Sequence, residues 1–193
     1  MNQVILRELF VEQIQDIYDA EKQLVKALPK LAKAAQSEDL AQALRAHLGE
    51  TETHVTRLEE IFEMLDMTAK GKPCKAMKGL VEEGGEAAKE EKGARRDLAM
   101  IAGGQRVEHY EISAYGTART MAEQLGLGEA AGLLQLTEDE EKKADATLTK
   151  VAETLYGSLD DESDDADGEL AMASAGSGSK NGSASKGGKK SGR

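Results

Sequence analysis

Four glutamates stand where amphipathic helices ordinarily keep apolar side chains. Glu21, Glu50, Glu108 and Glu141 each interrupt a stripe built otherwise from Leu, Ile, Val and Ala at three- and four-residue steps. An ionised carboxylate held in such a stripe is costly unless it is paired or bound to a cation. One source of compensation is basic side chains at the edge of the core, for which Lys22, Lys26, Arg57 and Arg106 are available. The other is metal. His47 lies three residues before Glu50 and His54 four residues after it, so either imidazole sits one helical turn from that carboxylate on the same face. Four inward carboxylates with one or two imidazoles make a cage for two divalent ions, iron or manganese, both of which accept this donor set. Glu111, one turn beyond Glu108, is a candidate additional ligand or a residue that shifts as the metal changes oxidation state. Asp145, one turn beyond Glu141, offers another oxygen donor. Tyr18, one turn from Glu21, and either Tyr110 or Tyr115 are placed to donate hydrogen bonds to such a site or take part in electron transfer, and His109 is expected at the edge of its helix.

Positioning these groups calls for four helices. Phe10, Ile14, Ile17, Leu24, Leu28 and Leu31 form one stripe of a first helix from Leu6 to Ala35, with Pro29 expected to kink it or divide it in two. Ser37 is a natural N-cap for a second helix whose inward line runs Leu40, Leu44, His47, Glu50, His54, Leu58, Ile61 and Leu65. Residues 67–96 have a weaker pattern, with a short helix over Ala76 to Gly84 and glycines at 84, 85 and 93. They read as a crossover joining a second and third helix that are not simple antiparallel neighbours. A third helix is expected from about Arg95 to Leu125, with Leu98, Ile101, Ala102, Gln105, Glu108, Ile112 and Tyr115 inward. A fourth should span Glu129 to Leu155 and stop at Gly157, a residue suited to a left-handed cap. The expected organisation is a helical domain over 1–157, followed over 158–193 by a disordered Asp/Ser/Gly/Lys tail with too little apolar surface to offset the entropy of ordering.

Composition narrows the class further. The 193-residue chain is rich in strong helix formers, with two prolines and no tryptophan, as an all-α protein requires. Its net charge of −11 argues against nucleic acid as a partner of the folded domain, because phosphate binding draws on a surplus of Lys and Arg. A single cysteine, Cys74, excludes an intrachain disulfide and fits a reducing compartment. The opening residues contain acidic groups and no long apolar run, so neither a signal peptide nor a membrane span is expected and the cytoplasm is the expected location.

The segments LRELFVEQIQDIYDAEKQLVKALPKLAKAA, AHLGETETHVTRLEEIF, KPCKAMKGLVEEG, QRVEHYEISAYGTARTMAEQLG and EDEEKKADATLTKVA, in this order, resemble the YciF/YciE family (DUF892) of ferritin-like stress proteins across residues 5–156. That resemblance, with its likeness to rubrerythrin and bacterioferritin, implies a ferritin-like four-helix bundle with a long crossover, a di-iron or dimanganese centre, ferroxidase or peroxide-related chemistry with dioxygen or peroxide as oxidant, and a homodimer. It puts Glu21, Glu50, Glu108 and Glu141 in the four carboxylate places. If two irons bind there, the expected arrangement has Glu50 and Glu141 bridging and Glu21 and Glu108 as terminal ligands. The usual motif of such bundles has His three residues after Glu; here position 53 is Thr and position 144 is Ala, so Asp145 is the substitute donor on the fourth helix. The competing expectation is a non-enzymatic helical stress protein that acts by association, with a weak or purely structural metal site.

Overall fold

In the computed structural model, residues 3–175 are described, with side chains through residue 159. All their regular structure is helical: α1 Gln3–Ala34, α2 Glu38–Met64, α3 Lys75–Ala87, α4 Ala94–Gln124 and α5 Gly128–Ala175. Two apolar clusters account for their packing. The first joins Phe10, Ile14 and Ile17 of α1, Leu58, Ile61 and Phe62 of α2, Tyr115, Ala118 and Ala122 of α4, and Ala130 and Leu134 of α5. The second joins Leu24 and Leu28, Leu40 and Leu44, Met100 and Ile101, and Leu148 and Val151 from the same four helices. Low residue numbers of α1 and α5 therefore meet high numbers of α2 and α4, so α1 and α5 run one way and α2 and α4 the other. Because α2 and α4 are parallel, the chain between them has to travel back along a 27-residue helix, about 40 Å, and residues 65–93 with α3 make that return. Fully burying a Leu or Phe contributes about 2 kcal/mol, so these clusters hold the four long helices together.

Local chemistry sets the turns. Ser37 caps α2 by accepting from Leu40 N at 3.4 Å, and Asp97 of α4, itself buried, accepts from Gln36 N at 2.9 Å and Ser37 N at 2.6 Å. The return segment is tied to α1 by Lys72 N donating to the Gln15 carbonyl at 3.0 Å and Cys74 N donating to Asp19 at 2.8 Å. Cys74 is buried, and its sulfur accepts from Met77 N at the start of α3 and lies 2.9 Å from the Tyr110 hydroxyl.

Several boundaries differ from the sequence expectation. Pro29 does not divide the first helix, since its ring lies on the exposed side where water can satisfy the carbonyl it leaves free. Gly84 and Gly85 lie inside α3 rather than ending it, and Gly84 packs against Gly103 of α4. Ala102 is exposed; Gly103 is the buried position. Gly157 does not end the fourth helix: α5 continues to Ala175, because a helix-interior glycine costs only about 1 kcal/mol and no proline follows. Residues 3–155 belong to one unit and residues from Tyr156 onward to another. The tail expected to be disordered is thus helical over 158–175, and its remainder, 176–193, lies outside the described residues.

Candidate metal centre

Between the two apolar clusters lies a polar layer, and every long helix contributes to it. Glu21 falls between the two apolar groups of α1, His47, Thr51 and His54 between those of α2, Glu108 and Glu111 between those of α4, and Glu138 and Glu141 between those of α5. Helical repeat explains the selection: 47, 51, 54 and 58 on α2, and 108, 111, 115 and 118 on α4, continue the stripes that bury Leu and Ala to either side.

Two groups of donors form within this layer. His47, Glu108, Glu111 and Glu141 bring one ligand atom each to within 4.8 Å of one another, and Glu21, His54 and Glu141 do the same. Glu141 belongs to both. Its Oε1 is 3.0 Å from His54 Nδ1 and its Oε2 is 3.8 Å from His47 Nε2, so the two carboxylate oxygens face the two groups separately. Glu21 Oε1 is 3.4 Å from His54 Nδ1 and accepts from the Tyr115 hydroxyl; Glu108 Oε1 is 3.5 Å from His47 Nε2.

Support from outside fixes the second imidazole. His54 Nε2 lies 2.9 Å from Glu140 Oε2, and Arg57 holds Glu140 through Nη2 to Oε1 at 3.0 Å while also donating to Thr137 at 3.0 Å. A carboxylate on one ring nitrogen sets the tautomer and turns the other nitrogen toward the acidic groups. Sequence reading did not find Glu140; its only signal is Arg57, which lies one turn beyond His54 on α2 and which a carboxylate from the facing helix can reach.

Electrostatics set the protonation of the layer. Burial, with further repulsion from Glu21 and Glu141, pushes the Glu111 carboxyl well above the usual range; burial does the same to Glu108, and Glu21 also shifts upward. Burial alone would lower the imidazoles, but neighbouring carboxylates outweigh it: Glu50, Glu108 and Glu141 raise His47 to about 9, and Glu141 and Glu21 raise His54 to about 10. Nine buried side-chain atoms have no hydrogen-bond partner among the described residues, and all belong to Glu21, His47, His54, Glu108, Glu111 and Glu141. Buried polar groups are rarely left unpaired, so this concentration marks a place for a ligand. Carboxylate oxygens together with imidazole nitrogens are a donor set that could hold a metal ion.

Two of the residues expected at the site stand apart. Glu50 belongs to neither group. Its side chain is 32% exposed, 3.4 Å from Lys143 Nζ and 3.6 Å from His47 Nδ1, and His47 together with Lys143 holds its carboxyl below the usual value. Thr51 takes the inward position instead, fully buried, its hydroxyl donating to the His47 carbonyl at 2.8 Å. Among the described residues Glu141, not Glu50, is the carboxylate that both groups share. Asp145 accepts from Gln105 Nε2 at 3.1 Å and lies 3.6 Å from His109 Nε2, away from the buried groups and held by its own surface contacts. Tyr18 donates to Glu59 at 2.7 Å and Tyr110 to Asp16 at 2.6 Å, so of the three tyrosines Tyr115 alone bonds a residue of the cluster.

An all-α protein with a buried carboxylate–imidazole cluster between two apolar cores is the class that fold and site define. The chain belongs to the family described as "Domain of unknown function (DUF892)", which matches residues 5–158. It is 46% identical to Protein YciF of Escherichia coli (strain K12) over 154 residues, 79% of this chain and 93% of that protein. Its structure resembles the crystal structure of the E. coli stress protein YciF with a TM-score of 0.76 at 45% identity, covering 79% of this chain and 97% of that one. A second solved structure, YcfI from Rhodopseudomonas palustris, described as a putative structural protein, matches with a TM-score of 0.72 at 39% identity, covering 75% and 92%.

Proposed function

We propose that the buried cluster is a dinuclear iron or manganese centre of a ferritin-like stress protein that oxidises Fe(II) or consumes peroxide. Glu141 would bridge the two ions, Glu21 and His54 would hold one, and His47, Glu108 and Glu111 the other. The observation that carries this reading is the coincidence of two donor groups sharing one carboxylate with the full set of unpartnered buried atoms. When bound, such ions supply redox equivalents that side chains lack. The chain's own residues do the rest. Apolar clusters on both sides keep bulk water from the polar layer, Glu140 and Arg57 orient His54, and Tyr115 holds Glu21 through its hydroxyl. Without ions, protons on the raised imidazoles and carboxyls neutralise the cluster, so metal binding exchanges protons for cations.

On this reading the protein works in the cytoplasm as a homodimer. No described helix is long and apolar enough to cross a membrane. Elemental analysis after gentle purification, the rate of Fe(II) oxidation under air or peroxide, and light scattering test these points together. Two metal ions per chain and an oxidation rate lost in Glu141→Ala are the expected results.

A second reading has one specific support, the description of the R. palustris relative as a structural protein. On it the protein acts by association and the polar layer serves to hold the helices in register. Protein without metal that keeps its full stability, and no difference in Fe(II) oxidation between the unaltered chain and Glu141→Ala, would favour it.

A further inference from the structure

A cavity of about 180 Å³ opens between α2 and α5 and ends against the polar layer. Ala43, Leu44, Ala144, Thr147 and Leu148 form its walls, and His47, Glu50, Glu108 and Lys143 its polar end. The volume accommodates a few water molecules or a partly hydrated ion. His47 is 7% exposed and presents one nitrogen to each side: Nε2 faces Glu108 and Glu141 within, while Nδ1 faces Glu50 at 3.6 Å, and neither nitrogen has a hydrogen-bond partner among the described residues. Glu50 Oε1, on the far side of that carboxylate, is 3.4 Å from the ammonium of Lys143, which is 74% exposed and free to swing into solvent.

We propose that this cavity is the port through which divalent cations reach the buried cluster, with Glu50 and His47 Nδ1 as an outer, transient binding pair and Lys143 as the charge that an arriving ion displaces. The inference rests on the dinuclear reading above and assigns Glu50 a duty that its position off the cluster fits. A carboxylate at the boundary can meet a hydrated cation, exchange its ammonium partner for that ion of higher charge, and share the ion with an imidazole whose far nitrogen already faces the inner ligands. The chain's net charge of −11 draws cations toward the protein as a whole, and the apolar walls of the cavity offer few competing ligands.

Stopped-flow mixing of metal-stripped full-length protein with Co(II), read by the visible absorption of the bound ion, tests the port without any turnover. Glu50→Gln is expected to slow loading about tenfold, the low end of the range for electrostatic steering, while the final number of Co(II) ions per chain stays the same. Lys143→Gln should speed loading, and Ala144→Leu, which narrows the cavity while keeping every charge, should slow it. Loading of Glu50→Gln at the unaltered rate overturns the port, and so does the loss of one Co(II) per chain in that variant, which would make Glu50 a resident ligand. Absence of Co(II) binding by the unaltered protein overturns the dinuclear reading itself, and thereby separates the two failures.

Discussion

Glu50 and Glu141 look alike in sequence, and geometry gives them different surroundings. On α2 the buried repeat passes through Thr51, so Glu50 is rotated toward the boundary and its charge is met by Lys143. On α5 the repeat passes through Glu141, whose oxygens face both imidazoles. A residue common to both donor groups is the most damaging to lose: Glu141→Ala is expected to abolish binding of both Co(II) ions, whereas Glu21→Ala should spare the ion on the His47 side. Titration with the visible spectrum recorded distinguishes these, and retention of two ions by Glu141→Ala would refute the bridge. Glu140 touches no proposed ion, yet it holds His54. Glu140→Gln should weaken metal binding by about 10- to 100-fold, as measured by competition with a chelator, with helix content unchanged by circular dichroism.

Parallel α2 and α4 explain why the return segment exists and why it must be anchored. Asp97 is the clearest anchor, because one buried carboxylate from α4 satisfies two backbone donors at the α1–α2 turn, that of Gln36 and that of the N-cap Ser37, which a helix start leaves without an intrahelical partner. Asp97→Ala is expected to destabilise the protein by about 1–3 kcal/mol, seen as a lower midpoint in urea with an unchanged slope. Ser37→Ala, which loses one longer cap bond, should cost at most about 1 kcal/mol. A larger loss at Ser37 than at Asp97 would mean that the turn is held in some other way.

Taken together, the protein stores repulsion in its middle and stability at its two ends. The folded state raises His47 to about 9 and His54 to about 10 from 6.5, so it binds protons more tightly than the unfolded chain, and the stability these residues contribute is complete below about pH 6.5 and lost as pH rises through 9 to 10. Glu108 and Glu111, raised by burial, act in the same direction from about 4.5 upward. Metal-stripped protein should therefore melt at progressively lower temperature from mildly acid to alkaline pH. Metal affinity should rise over the same range, because the ligands must shed those protons to bind. Calorimetry at a series of pH values, with chelator and with saturating Mn(II), checks both signs; a metal-free Tm that climbs with pH contradicts the protonated cluster.

Periodicity made the helices legible, along with the carboxylates that break their apolar stripes, because burial on a helix follows a repeat that one chain displays unaided. Glu21, Glu108 and Glu141 were readable in this way. So was the return segment, since a chain that only connects two long helices has no continuous face to bury and its apolar repeat weakens accordingly. Finer choices belong to packing between helices. Whether Glu50 or Thr51 turns inward depends on a rotation of tens of degrees that 3.6-residue spacing leaves open, and the neighbours of α2 decide it. Glu140 and Arg57 find each other across helices that are distant in the chain, so no local pattern announces their pairing, whereas Tyr115, which bonds Glu21, was legible on the inward line of its helix. The same holds for the continuation of α5 past Gly157, where a modest local penalty reads like a stop signal yet is small enough for the surrounding helix to absorb.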